Sequence, residues 1–181
     1  MSERLSAENW TQMALRVLAE RGIEGVRVER LADALGVTKG SFYWHFEGRR
    51  ALFDAVLDQW ERRATLEVIA AVEQAFADPG DRLRELTRLV FRHGASLDRA
   101  VRAWASHDES AGRVVRRVDK RRLEFVADLL RAYGLEPSVA AIRARLLHTA
   151  LIGAQHTSSR MARERRVQWA LHNLELLLRS P

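Results

Sequence analysis

Apolar residues recur at helical spacing along most of the chain. The first stripe consists of Trp10, Met13, Ala14, Val17 and Leu18. These positions follow the spacing of one face of an amphipathic helix. Ser6 is a good N-cap for that helix, and Gly22 is a good terminator. Similar stripes continue to the C-terminus without strand-like alternation, internal repeats or low-complexity tracts. The pattern therefore predicts an all-α fold of about nine helices.

Residues 28–52 depart from a simple alternation of stripe and turn. A short apolar stripe from Val28 to Leu35 ends at Gly36, and Thr38 can cap a second helix predicted over 39–46. Phe42 and Phe46 would form the inward face of that second helix. Its other prominent side chains can donate hydrogen bonds: Lys39, Ser41, Tyr43, Trp44 and His45. Two short helices joined by a glycine turn indicate a helix-turn-helix, whose second helix enters the DNA major groove.

This segment resembles the tetracycline-repressor (TetR) family. The residues that carry the resemblance are Leu31-Ala32, Leu35-Gly36-Val37-Thr38-Lys39-Gly40, Phe42-Tyr43-Trp44-His45-Phe46, Arg49 and Leu52. The resemblance covers about the first quarter of the chain. It implies a three-helix DNA-binding head over residues 1–50, followed by a helical effector-binding and dimerisation domain over residues 51–181.

The resemblance also assigns roles to individual residues. Phosphate contacts would come from Tyr43, His45 and Arg49. Arg27 stands where the family usually has a capping Ser or Thr; because arginine has no acceptor, it leaves the second helix less well capped or exchanges the cap for a phosphate contact, which we favour.

Base contacts would come from the start and the outer side of the second helix. Lys39, Ser41 and Trp44 would reach base edges, Gly40 would let the backbone approach closely, and Thr38 completes the predicted set. The alternative is structural, with Tyr43 closing the small core and Trp44 covering it. A Tyr-Trp-His run facing solvent favours DNA binding.

The remaining chain predicts further helices with breaks between them. A long helix is expected over 50–77, with breaks at 78–80, at 94–96 and, as a break or a kink, at 108–112. Two final helices are expected over 137–158 and 163–178. Both are apolar over more than one narrow stripe, so each has a second surface to bury. That surface predicts a homodimer through the last two helices, as the resemblance also implies.

The second domain is predicted to bind a small apolar effector. The candidate pocket residues are Trp60, Phe91, Trp104, Phe125 and Tyr133, with His93 and His107 as polar anchors. For each aromatic side chain, ordinary core packing is the favoured alternative. In the family, ligand binding in this domain separates the heads and releases the operator.

Charge and composition modify this interpretation only slightly. The chain carries a net charge of +6, but residues 1–50 hold eight basic and seven acidic residues, so the head itself is nearly neutral. A basic run over 113–122 could bind an anion, although a solvated helix face is favoured. The absence of cysteine fits a reducing compartment. No signal peptide and no membrane-spanning run is evident, so the expected location is the cytoplasm.

No motif of enzymatic chemistry is present in the sequence. The patterns of zinc proteases, nucleophile elbows and phosphate-binding loops are missing, so we expect no catalytic residues, no metal site and no cofactor. The favoured function is a ligand-responsive dimeric repressor that binds an inverted-repeat operator on double-stranded DNA. The alternatives are a helical small-molecule-binding or scaffold protein without specific DNA recognition, and a non-specific DNA-packaging protein.

Overall fold

The computed structural model describes residues 5–92, 95–157 and 161–179, and within these ranges it contains α-helices and no strand. The helices are α1 (Ala7–Arg21), α2 (Val28–Leu35), α3 (Lys39–Tyr43), α4 (Arg49–Glu61), α5 (Glu67–Ala75), α6 (Pro79–Arg92), α7 (Ser96–Ala105), α8 (Glu109–Ala132), α9 (Pro137–Thr157) and α10 (Arg163–Leu178). A π-helical segment, Arg62–Leu66, lies between α4 and α5. If α4 to α5 is counted as one helix, the described residues contain nine. The predicted all-α class is confirmed.

The chain forms two compact units. Unit 1 comprises Met1–Arg63 and Ser96–Arg116, and unit 2 comprises Ala64–Ala95 and Arg117–Pro181. Unit 1 therefore contains α4 and α7 in addition to the first three helices. The functional division between residues 50 and 51 stays a prediction.

Helix α1 forms as its sequence predicts. The Asn9 backbone N–H and the Ser6 hydroxyl lie 3.4 Å apart, and the Ser6 backbone N–H donates to Asn9 Oδ1 at 2.8 Å, which makes a reciprocal capping box. Gly22 ends the helix with a φ of 68°, a conformation that L side chains rarely adopt. Trp10, Ala14 and Leu18 are fully buried on the inner face. This helix supplies one wall of the core that holds α2 and α3.

Helix α2 is short and is fixed mainly by its inner face and its C-terminus. Leu31 and Ala32 are buried. Gly36 takes the left-handed conformation with a φ of 69°, and the Val37 N–H donates to the Ala32 carbonyl at 3.0 Å. At the N-terminus, Arg27 occupies the cap position and makes no side-chain cap bond. The helix therefore lacks a side-chain cap, and the favoured alternative, a phosphate contact by Arg27, stays a prediction.

Several predicted boundaries require correction. The breaks expected at 78–80 and 94–96 overlap helix starts, because α6 begins at Pro79 and α7 at Ser96. The second helix was expected over 39–46, but α3 ends at Tyr43. The His45 N–H donates to the Phe42 carbonyl at 3.0 Å, an i to i−3 bond that tightens the last turn. The long helix expected over 50–77 ends at Ala75 and is interrupted by the π-helical segment. The break or kink expected over 108–112 is the start of α8, where the Asp108 carboxylate accepts the Ala111 N–H at 2.8 Å.

Unit 2 packs around two apolar clusters. One consists of Leu83, Leu129, Leu130, Ala140, Ala144, Leu174 and Leu178, which come from α6, α8, α9 and α10. The other joins Phe91, Ala154 and Ala170. An ion pair of 2.8 Å between Arg84 Nε and Glu175 Oε1 adds a polar link between α6 and α10. None of the helices in the described ranges combines the length and hydropathy required for a membrane span.

Candidate nucleic-acid interface

Phe42 anchors α3 to the body of unit 1. Its side chain is fully buried, with its ring centroid 5.3 Å from that of Trp10 in an edge-on arrangement and 5.3 Å from that of Phe46 in a stacked one. A helix of five residues is not stable alone in water, so these aromatic contacts set its orientation. The anchor fixes which side chains of α3 point away from the core.

The side chains next to this anchor project into solvent. Trp44 is 87% exposed and Tyr43 is 58% exposed, although Tyr43 also contacts the Phe42 ring edge-on at 5.2 Å. His45 is half-buried. The structure therefore does not support the alternative in which Tyr43 closes the small core and Trp44 covers it. A large aromatic side chain this exposed is available to a partner.

The start of α3 is also exposed. Thr38, Lys39 and Gly40 are exposed, and Ser41 is half-buried. Thr38 stands at the N-cap position, but its hydroxyl makes no cap hydrogen bond, so the predicted hydroxyl cap is wrong. A Cβ built on Gly40 would meet only the Thr38 hydroxyl oxygen, at 3.7 Å, which is ordinary contact. Glycine is therefore not required there by the fold.

Lys39 is paired with a residue that the sequence pattern did not single out. Its Nζ lies 2.5 Å from Oε1 of Glu29 in the first turn of α2, ten residues earlier in the chain. The Lys39 hydrogen bond lowers the pKa of Glu29, and the Glu29 hydrogen bond raises the pKa of Lys39. Both side chains remain more than half exposed. The predicted base-contacting amine therefore has a carboxylate beside it.

Arg27 and Arg49 lie at the starts of α2 and α4. Arg27 is exposed, and its Nε donates to the Glu24 carbonyl at 3.1 Å. Arg49 is also exposed, and its guanidinium carbon lies 4.7 Å from the centroid of the Phe53 ring. A guanidinium over an aromatic face keeps its edge donors for a further acceptor. Both positions are compatible with the predicted phosphate contacts.

The aromatic effector candidates of unit 1 have packing roles. Trp60 is buried, and its indole N–H donates to Asp98 at 3.1 Å. Trp104 is buried and packs edge-on against Phe53 with centroids 5.0 Å apart. His107 is exposed. These contacts are those of core packing, which was the favoured alternative for the aromatic residues.

The remaining effector candidates belong to unit 2, except His93, which lies outside the described residues. Phe91 is in the smaller apolar cluster, with Trp169 edge-on at 6.2 Å, whereas Phe125 packs against the larger one. Tyr133 is 39% exposed. Within unit 2 these three side chains occupy different environments, and the effector pocket stays a prediction.

Residues 11–56 match the family model described as bacterial regulatory proteins, tetR family. The tetracycline repressor protein class C of Escherichia coli is 42% identical over 55 residues, which are 30% of this chain and 25% of that protein. Over residues 11–56 the chain matches the TetR family. A second TetR-family relative, the class A repressor from transposon 1721 in Escherichia coli, is 28% identical over 60% of this chain and 51% of its own length.

Solved TetR-family and related structures extend the likeness to the whole fold. A TetR-family transcriptional regulator from Streptomyces coelicolor superposes with a TM-score of 0.80 at 23% identity, covering 94% of this chain and 87% of that one. A transcriptional regulator from Rhodococcus sp. Rha1 gives a TM-score of 0.80 at 21% identity over 96% of both chains. At these identities the structures establish the shared all-α fold alone. The sequence matches to the tetracycline repressors cover a quarter to half of those proteins.

Proposed function

We propose that this chain is a transcription regulator of the TetR family that binds DNA and acts as a repressor. The observation that carries the proposal is the outward display of Tyr43 and Trp44 beside the buried Phe42 anchor. Exposed donors and aromatic rings on the second helix of a helix-turn-helix and at its C-terminus suit contacts to phosphates and base edges in the major groove. The relatives matched by the head are named as repressors, which supports repression over activation.

The operator is an inverted repeat bound by a homodimer. Large apolar side chains remain exposed on the last two helices: Ile142, Leu146, Trp169 and Leu176. Ile142 and Leu146 are four residues apart on α9, and Trp169 and Leu176 are seven apart on α10, so each pair shares one helix face. A second copy is the partner proposed for these faces, because an isologous dimer buries the same surface on both subunits. Two heads would then meet half-sites about one duplex turn apart, roughly 34–36 Å.

Substitution of Lys39 and Arg49 separates specific from general DNA binding. Lys39→Ala should relax base preference, because an amine that reaches guanine O6 and N7 reads sequence. Arg49→Ala should weaken binding to every sequence and reduce the salt slope by about 1, because a phosphate contact releases a counterion. The measurement is affinity for selected and random duplexes over a salt series. Equal effects of both substitutions on both duplexes contradict the assignment.

A small apolar effector lowers operator affinity. Phe91 and Phe125 lie in or beside apolar clusters of unit 2, which supports an apolar ligand. Release requires that the effector bind the DNA-incompetent state more tightly than the competent one. Compounds that bind the protein are first identified because they raise its melting temperature. Each is then added to the protein–operator complex, and the DNA affinity is measured. A set of proven binders that leaves DNA affinity unchanged contradicts the mechanism.

The second candidate function is a helical ligand-binding or scaffold protein without specific DNA recognition. The nearly neutral head favours it, because bulk charge supplies little attraction to a polyanion. A gel shift with the DNA upstream of the chain's own coding region, against random competitor, separates the two. Specific retardation supports the regulator, and its absence supports the scaffold. Retardation by any DNA alike points to non-specific packaging.

A further inference from the structure

The Glu29–Lys39 pair is an unusual feature for a surface that meets DNA. Glu29 lies in the first turn of α2 and Lys39 is the first residue of α3, so both stand at helix starts on the same motif. The side chains are 60% and 52% exposed, and Nζ and Oε1 are 2.5 Å apart. Exposed ion pairs contribute little to folding stability, so the fold gives only a weak reason for the pair.

The pair combines donors and an acceptor in one place. A lysine amine has three N–H donors, and one of them is directed to Glu29, which leaves two. A carboxylate has about four acceptor sites on its two oxygens, so accepting one hydrogen bond leaves further capacity. The Glu29 carboxylate also keeps the Lys39 amine from binding a DNA phosphate. The carboxylate and the phosphate are both negatively charged, so they would repel each other if the paired amine approached the phosphate.

This arrangement complements one kind of base pair. In the major groove, guanine presents two acceptors, N7 and O6, and its cytosine partner presents the N4 amino donor. Two amine donors beside one carboxylate acceptor match all three groups. An A·T pair offers a single purine acceptor, then a donor, and then the thymine O4 acceptor and a methyl group. The thymine O4 acceptor would then face the carboxylate of Glu29, which has no hydrogen-bond donor to offer it.

We propose that Glu29 is a specificity-determining residue, which together with Lys39 recognises one G·C base pair in each operator half-site. The inference rests on the proposed function and deepens it, since it names the base pair and adds a contacting residue on α2. Lysine alone would donate to guanine or to a phosphate without distinction. Glu29 restricts the amine to the base edge and adds the cytosine contact.

The test is selection of duplexes from a random library by the full-length protein, followed by affinity measurements on single-base variants. Wild type should select G·C at one position of each half-site. Glu29→Gln should lower the preference for G·C at that position by about tenfold, the scale of one good base contact. Glu29→Asp, which keeps the carboxylate, should retain part of it. Glu20→Gln on α1 removes one exposed negative charge from the same head and should leave the selected sequence unchanged.

Two further readouts distinguish base reading from a merely structural role. The urea midpoint of Glu29→Gln should equal that of wild type, and its affinity for random duplexes should rise, because the released amine can bind a phosphate. In the Glu29→Gln/Lys39→Ala double variant, the G·C preference should be no lower than in Lys39→Ala alone, since the two residues act as one unit.

The outcomes separate the inference from the function beneath it. A Glu29→Gln protein that selects the wild-type sequence with the wild-type preference overturns the inference and leaves the proposed function in place. A wild-type protein that selects no sequence overturns both. Loss of the G·C preference only in Glu29→Gln and Lys39→Ala, with Glu20→Gln unaffected, is the result we expect.

Discussion

Trp44 and Phe42 are two residues apart, and their substitution by alanine should have opposite consequences. Phe42 is fully buried, whereas Trp44 is 87% exposed. Phe42→Ala should cost about 3–5 kcal/mol of unfolding free energy, the range measured when a buried aromatic side chain is truncated. For Trp44, only about 30 Å² of a side chain of ~250 Å² is covered, which at ~25 cal/mol per Å² corresponds to about 0.8 kcal/mol.

Trp44→Ala, which should change stability little, should have a large effect on DNA binding. Trp44→Ala removes a ring that contacts the duplex in the proposed complex, so operator affinity should fall by about tenfold or more, the scale of 1–3 kcal/mol for a base contact. Stability is measured by urea unfolding followed by circular dichroism at one protein concentration, because association shifts the midpoint. Operator affinity is measured by fluorescence anisotropy under conditions where each variant is folded.

Two results would refute this reasoning. If Trp44→Ala destabilises the protein as much as Phe42→Ala does, the indole is part of the core. If Trp44→Ala keeps both stability and operator affinity, the exposed ring has no role at the DNA. Tyr133→Ala, which removes an exposed aromatic side chain of unit 2, controls for loss of an exposed ring outside unit 1.

The other predictions concern backbone approach and dimerisation. Gly40→Ala should keep or slightly raise stability, by about 0.5–1 kcal/mol, because alanine favours a helix and its Cβ has room, yet it should weaken operator binding if the backbone approaches DNA. Gly36→Ala should instead lower the urea midpoint, because the φ of 69° strains an L residue. Leu146→Asp should convert a dimer to a monomer by light scattering after gel filtration, whereas Leu66→Asp, another exposed leucine, should not. A monomeric wild type, or unchanged association of Leu146→Asp, contradicts the proposed dimer surface.

Local pattern was sufficient for much of the fold. The capping box and the glycine stop of α1 depend on residues within one or two turns, and α10 was predicted over its observed residues for the same reason. The turn at Gly36 is equally local. The outward placement of Tyr43 and Trp44 followed from the inward spacing of Phe42 and Phe46.

What the sequence did not reveal depends on contacts between helices. The pairing of Glu29 with Lys39 requires knowledge of how α2 and α3 cross, and helical spacing within either helix gives no sign of it. The stacking of Arg49 on Phe53 could have been inferred from their i, i+4 spacing, but an arginine at a helix start suggested only a phosphate. The start of α8 was missed because a glycine and a serine inside its first turns resemble a break.

At α3 the buried Phe42 holds the helix, whereas Tyr43 and Trp44 are exposed. This separation bears on how the chain could acquire a new DNA target. The side chains that hold the helix point one way, and those available to a duplex point the other. Mutations at the outer positions can therefore accumulate with little penalty to folding, and each can be tested by selection for a different promoter. Under the proposed function, a few substitutions at these positions would redirect the protein to other genes, while the remainder of the molecule continues to fold unchanged.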